Sequence, residues 1–336
     1  MAPSPLLGLP GMEAELVRVE EALRAAVVAD DAYLTELATH LIAAGGKRLR
    51  PALTLAAGAC GRPAGGAGGA AGAATAGEEV VRAGVAVELI HLGSLYHDDV
   101  MDEATTRRGV ASVNSRWGNL RAILAGDFLL ARASSLGASL GREVSELLAT
   151  TLGSMCAGQI QELQTTFDLR RDEDQYLTAI AGKTAALFAT ACRCGALVTG
   201  LAPPEVDALT TFGHRFGMAF QIVDDVLDVV GSEEQLGKPA GNDLAEGVYT
   251  LPVILALASP VEGPELTDLL GRPLERTDIE RARKLVRSDG AVIGSMELAR
   301  LYCAEAVASL SPLRDHPSAE HLATAATSLS EAVPDP

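Results

Sequence analysis

Two short stretches of this sequence carry residues that could do chemistry. Asp98, Asp99 and Asp102 form a DDxxD pattern, and Asp224, Asp225 and Asp228 repeat it with the same spacing. On a helix, residues four apart share a face, so Asp98 would sit over Asp102 and Asp224 over Asp228. Like charges at that spacing repel, and acids near a helix C-terminus oppose its macrodipole by roughly 0.3–1 kcal/mol each. Apolar residues precede both clusters, Val85, Leu89 and Leu92 in one case and Phe220, Ile222 and Val223 in the other. Carboxylates gathered above an apolar wall are costly unless a cation neutralises them. Magnesium suits them, because it takes one or two carboxylates and completes its octahedron with water and phosphate. A single DDxxD reads more simply as a solvated, acidic helix end. Two identically spaced copies favour the metal. A calcium loop is a weaker option, since no EF-hand spacing follows either cluster.

The cations are distributed unevenly. The chain has 23 Arg but only four Lys, at positions 47, 183, 238 and 284, and three of these directly follow Gly46, Gly182 and Gly237. Lysine binds phosphate oxygens as a compact point charge, and a neighbouring glycine lets a bulky anion approach the backbone. Gly45-Gly46-Lys47-Arg48-Leu49-Arg50-Pro51 places three positive charges before a helix expected to start near Pro51, and Arg107 and Arg108 follow the first acidic cluster. A diphosphate substrate with its magnesium ions would need this pairing of carboxylates and cations. A surface ion pair from Arg107 or Arg108 to Asp102 or Glu103 is the plainer alternative.

Helices must position these groups. Apolar residues recur at helical spacing along Leu16, Val19, Leu23, Ala26 and Val27, and again along Val206, Leu209, Phe216, Phe220 and Val223. The spacing predicts helices over Val80 to Asp102 and Val206 to Val230, each ending on a DDxxD. No convincing period-two alternation occurs, which disfavours parallel sheets. The 336 residues are 48% hydrophobic but only 4% aromatic, a composition suited to closely packed Ala, Leu and Val helices. The segment 63–77 is nearly all Ala and Gly and reads as a flexible loop within a single all-α domain spanning 1–336. The 27 Lys and Arg are outnumbered by 44 Asp and Glu, for a net charge of −17, so nucleic acid is not an expected partner. No apolar run is long enough to span a bilayer, no signal peptide is evident, and five scattered Cys suit the cytoplasm.

In its motifs the chain resembles the trans-isoprenyl diphosphate synthases, the polyprenyl synthetase family, over nearly its whole length. The matching stretches are GGKRLRP (Gly45 to Pro51), HDDVMDEATTRRG (His97 to Gly109), AGDFL (Ala125 to Leu129), GKTA (Gly182 to Ala185), FQIVDDVLD (Phe220 to Asp228) and GKPAGNDLAEG (Gly237 to Gly247). The resemblance implies an all-α bundle around a deep central cavity, the isoprenoid synthase fold, usually a homodimer. It implies head-to-tail condensation of an allylic diphosphate with isopentenyl diphosphate. By the same resemblance Asp98, Asp102 and Asp224 hold three Mg2+ ions on the allylic diphosphate. Asp99, Asp225 and Asp228 act in support, with Asp228 also counted among the candidate metal ligands. Arg107, Lys183 and Lys238 would clamp that diphosphate, and Thr184 and Gln221 would line the site. Lys47, Arg50, His91 and Arg108 would bind isopentenyl diphosphate without metal; composition alone would make His91 a core histidine. One departure is Val248, where the family often has lysine.

Product length turns on the helix before Asp98. Positions four and five upstream lie about 6–7 Å deeper along its axis, and short-chain members of the family resemble one another in placing an aromatic floor there. Here they are Ser94 and Gly93, with Ile90 a turn below. The first two are small and Ile90 is only a moderate obstacle, so the expected product is a long-chain polyprenyl diphosphate, and Gly93→Phe is expected to shorten it. Geranylgeranyl diphosphate is the alternative, should Phe128 on a neighbouring helix supply a floor. A class I terpene cyclase would lack the second DDxxD and the GGKRLR stretch. A regulatory subunit of a heteromeric synthase would tend to lose aspartates, and all six are present.

Overall fold

Two helices that are apolar almost all round form the centre of the molecule. A helix of that kind is stable only when other helices cover it, and the remaining elements do so. The computed structural model describes residues 5–61, 76–232, 240–288, 290–331 and 333. The helices run α1 (Met12–Ala26), α2 (Ala32–Ala43), α3 (Leu49–Ala59), α4 (Glu78–Met101), α5 (Val113–Trp117), α6 (Asn119–Ser139), α7 (Arg142–Gln164), α8 (Glu173–Ile180), α9 (Ala186–Val198), α10 (Pro203–Val230) and α11 (Asn242–Glu246). They continue as α12 (Leu251–Leu257), α13 (Gly263–Leu269), α14 (Arg276–Ser288), α15 (Ala291–Ser309) and α16 (Pro317–Ser330). The central pair is α4, packed against α3, α6 and α9, and α10, packed against α9 and α15. One continuous apolar core runs through them. The expected all-α fold is observed. The Ala/Gly-rich segment 63–77 lies outside the described residues except for Ala76 and Gly77.

Both central helices start earlier than expected. Glu78 and Glu79 occupy the first turn of α4, where acids complement the helix dipole, and Pro203 and Pro204 open α10. Near the first acidic cluster a small hairpin pairs Thr106 with Ala111 and Arg107 with Val110. Its two-residue turn, Arg108 and Gly109, has φ of 53° and 77°, positive at both positions as such turns require.

The C-terminal carbonyls of the two central helices need partners. Asn114 Nδ2 donates to the Asp99 carbonyl at 2.8 Å, and the Asp102 amide to the Asp98 carbonyl at 2.8 Å. On α10, buried Arg283 donates from Nε to the Val229 carbonyl at 3.0 Å and from Nη2 to the Gly231 carbonyl at 2.6 Å. A cation there also favours the helix dipole.

Close helix crossings explain how so few aromatics suffice. At the crossing of α9 and α3, a Cβ on Gly195 would collide with the Thr54 carbonyl oxygen and stand 2.9 Å from the Gly58 nitrogen. Backbone cannot move aside as a flexible side chain can. Gly195→Ala is therefore expected to lower the melting temperature by roughly 3–10 °C, read by circular dichroism; an unchanged melting curve would contradict the crossing.

Candidate active site

The two DDxxD clusters meet at one hollow. Asp98 from α4 and Asp224 from α10 both line a cavity of about 530 Å³, together with Arg50, His91, Ser94, Lys183, Thr184, Phe220 and Gln221. Leu130, Leu152, Met155 and Ile160 of α6 and α7 form its apolar wall. A second, more polar cavity of about 780 Å³ adjoins it, sharing Met101, Gln159, Leu163, Lys183 and Gln221. Asp102, Glu162, Arg171, Tyr176, Asp225, Asp243 and Glu246 line this second space.

The six aspartates have different environments. Burial raises the Asp98 carboxyl to about 6, with Lys183 and Arg107 opposing that rise and Asp102 adding to it. Burial also raises Asp102, against the pull of Lys183 and Arg107. Asp99 is 0% exposed and accepts from Arg107 Nε at 2.6 Å. Asp225 is buried too, its Oδ2 accepting from the Tyr176 hydroxyl at 2.6 Å and its Oδ1 from Gln221 Nε2 at 2.7 Å. Thr184 Oγ1 donates to Gln221 Oε1 at 2.7 Å, so one hydrogen-bonded chain links Thr184, Gln221, Asp225 and Tyr176. Asp99 is thus held behind the site, and Asp225, on the wall of the second cavity, is held by Tyr176 and Gln221. Asp228, counted among the candidate metal ligands, sits apart from Asp98 and Asp224. It is buried, lines neither cavity, and its Oδ2 accepts from the Asp243 backbone N–H at 3.2 Å. The α11 segment covers that part of the helix face, which helical spacing alone cannot reveal.

Several cations also differ from expectation. Arg107, expected on the diphosphate, is held by Asp99. Lys183 sits in a π-helical turn, Ala181–Ala185, between α8 and α9, and pairs with Glu162. Such turns often mark functional sites. Gly182 and Gly158 let this turn pack directly on the backbone of α7. Gly46 makes room for the Arg108 side chain, because a Cβ there would lie 2.9 Å from the Arg108 guanidinium carbon. Arg108 itself donates to the Leu41 and Gly45 carbonyls. Lys47 is exposed on the loop before α3, and Lys238 lies outside the described residues. Val248 lines the second cavity.

Arg50 reaches the first cavity with its guanidinium 4.6 Å from the centre of the Phe188 ring, and its buried Nε has no hydrogen-bond partner. Burial lowers its pKa to about 10, Glu88 opposing and Arg108 adding to the fall, so it remains cationic near neutral pH. Of the residues expected to set product length, Ser94 lines the cavity but Gly93 does not. A Cβ on Gly93 would stand 3.0 Å from Leu130 and 3.1 Å from the Gly126 carbonyl of α6. Ile90 is buried and lines neither cavity. Gly93→Phe would therefore drive α4 from α6 before it reached a substrate chain.

Sequence reasoning gave no role to Glu162, Tyr176, Arg171 or Gln159. The last of these has a buried Oε1 without a partner between the two cavities. Gln159 and Glu162 stand three residues apart on α7, a polar pair that spacing could have revealed; nothing local marks Tyr176 or Arg171. Among the described residues, no three His, Cys, Asp or Glu side chains form a ready-made metal cage. Magnesium needs none, since it takes few carboxylates and completes its shell with water and phosphate. The carboxylates of Asp98, Asp102 and Asp224, which line the two adjoining cavities, suit it.

The polyprenyl synthetase family model matches residues 31–287. The chain belongs to that family. It is 40% identical over 282 residues to heptaprenyl diphosphate synthase component 2 of Geobacillus stearothermophilus, covering 82% of this chain and 84% of that one. It is 36% identical over 316 residues to the nonaprenyl diphosphate synthase of Mycobacterium tuberculosis, covering 93% and 90%. In structure it is similar to a polyprenyl synthase from Caulobacter crescentus, complexed with calcium and isoprenyl diphosphate, with a TM-score of 0.88, 35% identity and 98% coverage of both chains. Membership makes this polyprenyl synthetase an enzyme of prenyl transfer.

His91 provides a test of the site's electrostatics. Burial, with the charges of Arg50, Arg108, Arg48 and Arg107, holds its pKa well below the usual histidine value. The unfolded chain takes up a proton below about pH 6.5 that folded His91 refuses, so this group costs stability as pH falls through that value. The His91 ring resonance, assigned by loss in His91→Gln, should stay flat between about pH 5.5 and 8. A midpoint between 6 and 7 would show an open, hydrated ring instead.

Proposed function

We propose that this prenyltransferase condenses an allylic diphosphate with isopentenyl diphosphate, head to tail, and repeats the step to give a long all-trans polyprenyl diphosphate. One observation carries the reading: the first aspartates of both DDxxD clusters line a single cavity whose wall continues as Leu130, Leu152, Met155 and Ile160. Asp98, Asp102 and Asp224 would hold Mg2+, three ions by family resemblance. When bound, the metal neutralises the leaving diphosphate. Lys183 then exchanges part of its pairing with Glu162 for diphosphate oxygens, with Lys238 as a second clamp. Arg107 acts through Asp99. Thr184 and Gln221 orient the allylic end. Arg50, His91, Arg108 and Lys47 take the diphosphate of isopentenyl diphosphate, placing its double bond toward the allylic carbon. As that carbon loses its diphosphate, the apolar wall excludes water from the cation, the isopentenyl double bond attacks it to form the new C–C bond, and the proton then lost from the isopentenyl unit goes to the released diphosphate.

We further propose a cytoplasmic homodimer. Leu120 and Leu124 on α6 are 78% and 64% exposed, with Ile123 beside them, an apolar face that a second copy would cover. All five cysteines are free thiols. Among the described residues no helix is long and apolar enough to cross a membrane. Light scattering should report a dimer, and Leu124→Asp a monomer. A monomeric unaltered chain would refute the dimer.

The assay uses the purified chain alone with Mg2+, isopentenyl diphosphate and a farnesyl or geranylgeranyl primer. Chromatography should show polyprenyl products of about six to ten isoprene units, the count being that of the family. Absence of any prenyl transfer would favour a subunit that needs a second component. Asp98→Ala and Asp224→Ala should each reduce turnover by roughly two orders of magnitude or more with the fold intact. Ser94→Phe should shorten the product, because its ring would enter the cavity; an unchanged length would remove Ser94 from chain-length control.

A further inference from the structure

Glu88 is a single acid in the apolar stretch of α4, 2% exposed, three residues before His91. Its Oε1 accepts from Arg48 Nη1 at 3.0 Å. Arg48 is itself buried and stands at the N-cap of α3 with φ 46°, a backbone conformation that a non-glycine residue adopts only under constraint. The constraint is visible. Arg48 Nε donates to Glu20 Oε2 at 2.9 Å on α1, and Nη2 to the Ile42 carbonyl at 3.2 Å at the end of α2. One guanidinium therefore ties α1, α2 and α4 to the first turn of α3, with Lys47 beside it in sequence and Arg50 two residues on.

The position of Glu88 is unusual for a site that receives an anion. Its charge repels a diphosphate directly, yet it attracts Arg48, Arg50 and Arg108, which otherwise repel one another. We propose that Glu88, acting through Arg48, is a positioning residue for isopentenyl diphosphate that holds the first turn of α3 and the Arg50–Arg108 pair in a preformed anion site. The proposal rests on the reading of Lys47, Arg50, His91 and Arg108 as that substrate's site. The two effects of Glu88 have opposite signs. Losing the repulsion would tighten substrate binding, whereas losing the positioning weakens it.

Steady-state kinetics on the full chain with Mg2+ separate them, each substrate being varied with the other saturating. Glu88→Gln should raise KM for isopentenyl diphosphate about tenfold or more, leaving kcat and KM for the allylic diphosphate within about twofold. A lowered or unchanged KM for isopentenyl diphosphate, or a parallel rise in both KM values, overturns the proposal. Glu20→Gln severs the outer, partly exposed bond of Arg48 and should raise the same KM about threefold. If Glu88→Gln fails to fold, this variant decides, and no rise overturns the proposal. Arg50→Ala tests the underlying reading separately. If it leaves KM for isopentenyl diphosphate unchanged, the site assignment fails, and the proposal with it.

Discussion

The structure depends on bringing carboxylates of like charge to one partly dehydrated place without letting their repulsion unfold it. Burial is the main cause that raises Asp98 to about 6, and it raises Asp102, Asp99 and Asp225 as well. The protein shares out the load. Asp99 is neutralised by Arg107, and Asp225 is held by Tyr176 and Gln221. Asp228 is taken up by the Asp243 amide. Asp98, Asp102 and Asp224 remain to face the cavities, where a divalent cation and a diphosphate can complete the neutralisation.

A mirror problem arises among the cations. Arg50 and His91 line the first cavity, Arg108 is close enough to act on the charge of both, and burial disfavours charge on each of the three. Burial also works against charge on Arg48, but its hydrogen bonds and charge interactions with Glu20 and Glu88 outweigh it. Both signs of charge therefore line the same hollow, Asp98 and Asp224 with Arg50 and Lys183, the last paired with Glu162. In the proposed reaction a substrate carrying a diphosphate would meet donors already in place, so little of its binding energy would be spent on ordering them.

Small residues make the hollow possible. Gly195 lets α9 cross α3 closely, and Gly158 and Gly182 let the Lys183 turn lie on α7. Close crossings give a dense interior from Ala, Val and Leu. Four of the six phenylalanines gather along α9 and α10, where Phe188, Phe212, Phe216 and Phe220 contact one another and Phe188 supports Arg50. The wall formed by Leu130, Leu152, Met155 and Ile160 contains no aromatic side chain.

Much of this was legible in the chain before folding. The helical period, the absence of strand alternation and the repeated DDxxD follow from local chemistry, and local chemistry set the helices, their ends and the presence of two acidic clusters. The GGKRLRP and GKTA stretches likewise marked cations that do reach the cavity, Arg50 and Lys183. What spacing could not decide was which side chains face the hollow. Asp224 and Asp228 are equivalent on a helical wheel, yet only Asp224 faces it, because α11 packs over the other. Gly93 and Ser94 are neighbours, yet Gly93 meets α6 and Ser94 the cavity. Arg107 was read by charge, but its partner Asp99 lies on another element, and nothing local marked Glu88, whose partner Arg48 lies at the start of another helix. Helix formation depends on residues three and four apart, so the sequence alone determined it; which face is buried, and which charge meets which, depends on segments far apart in the chain, and only the tertiary structure decided those.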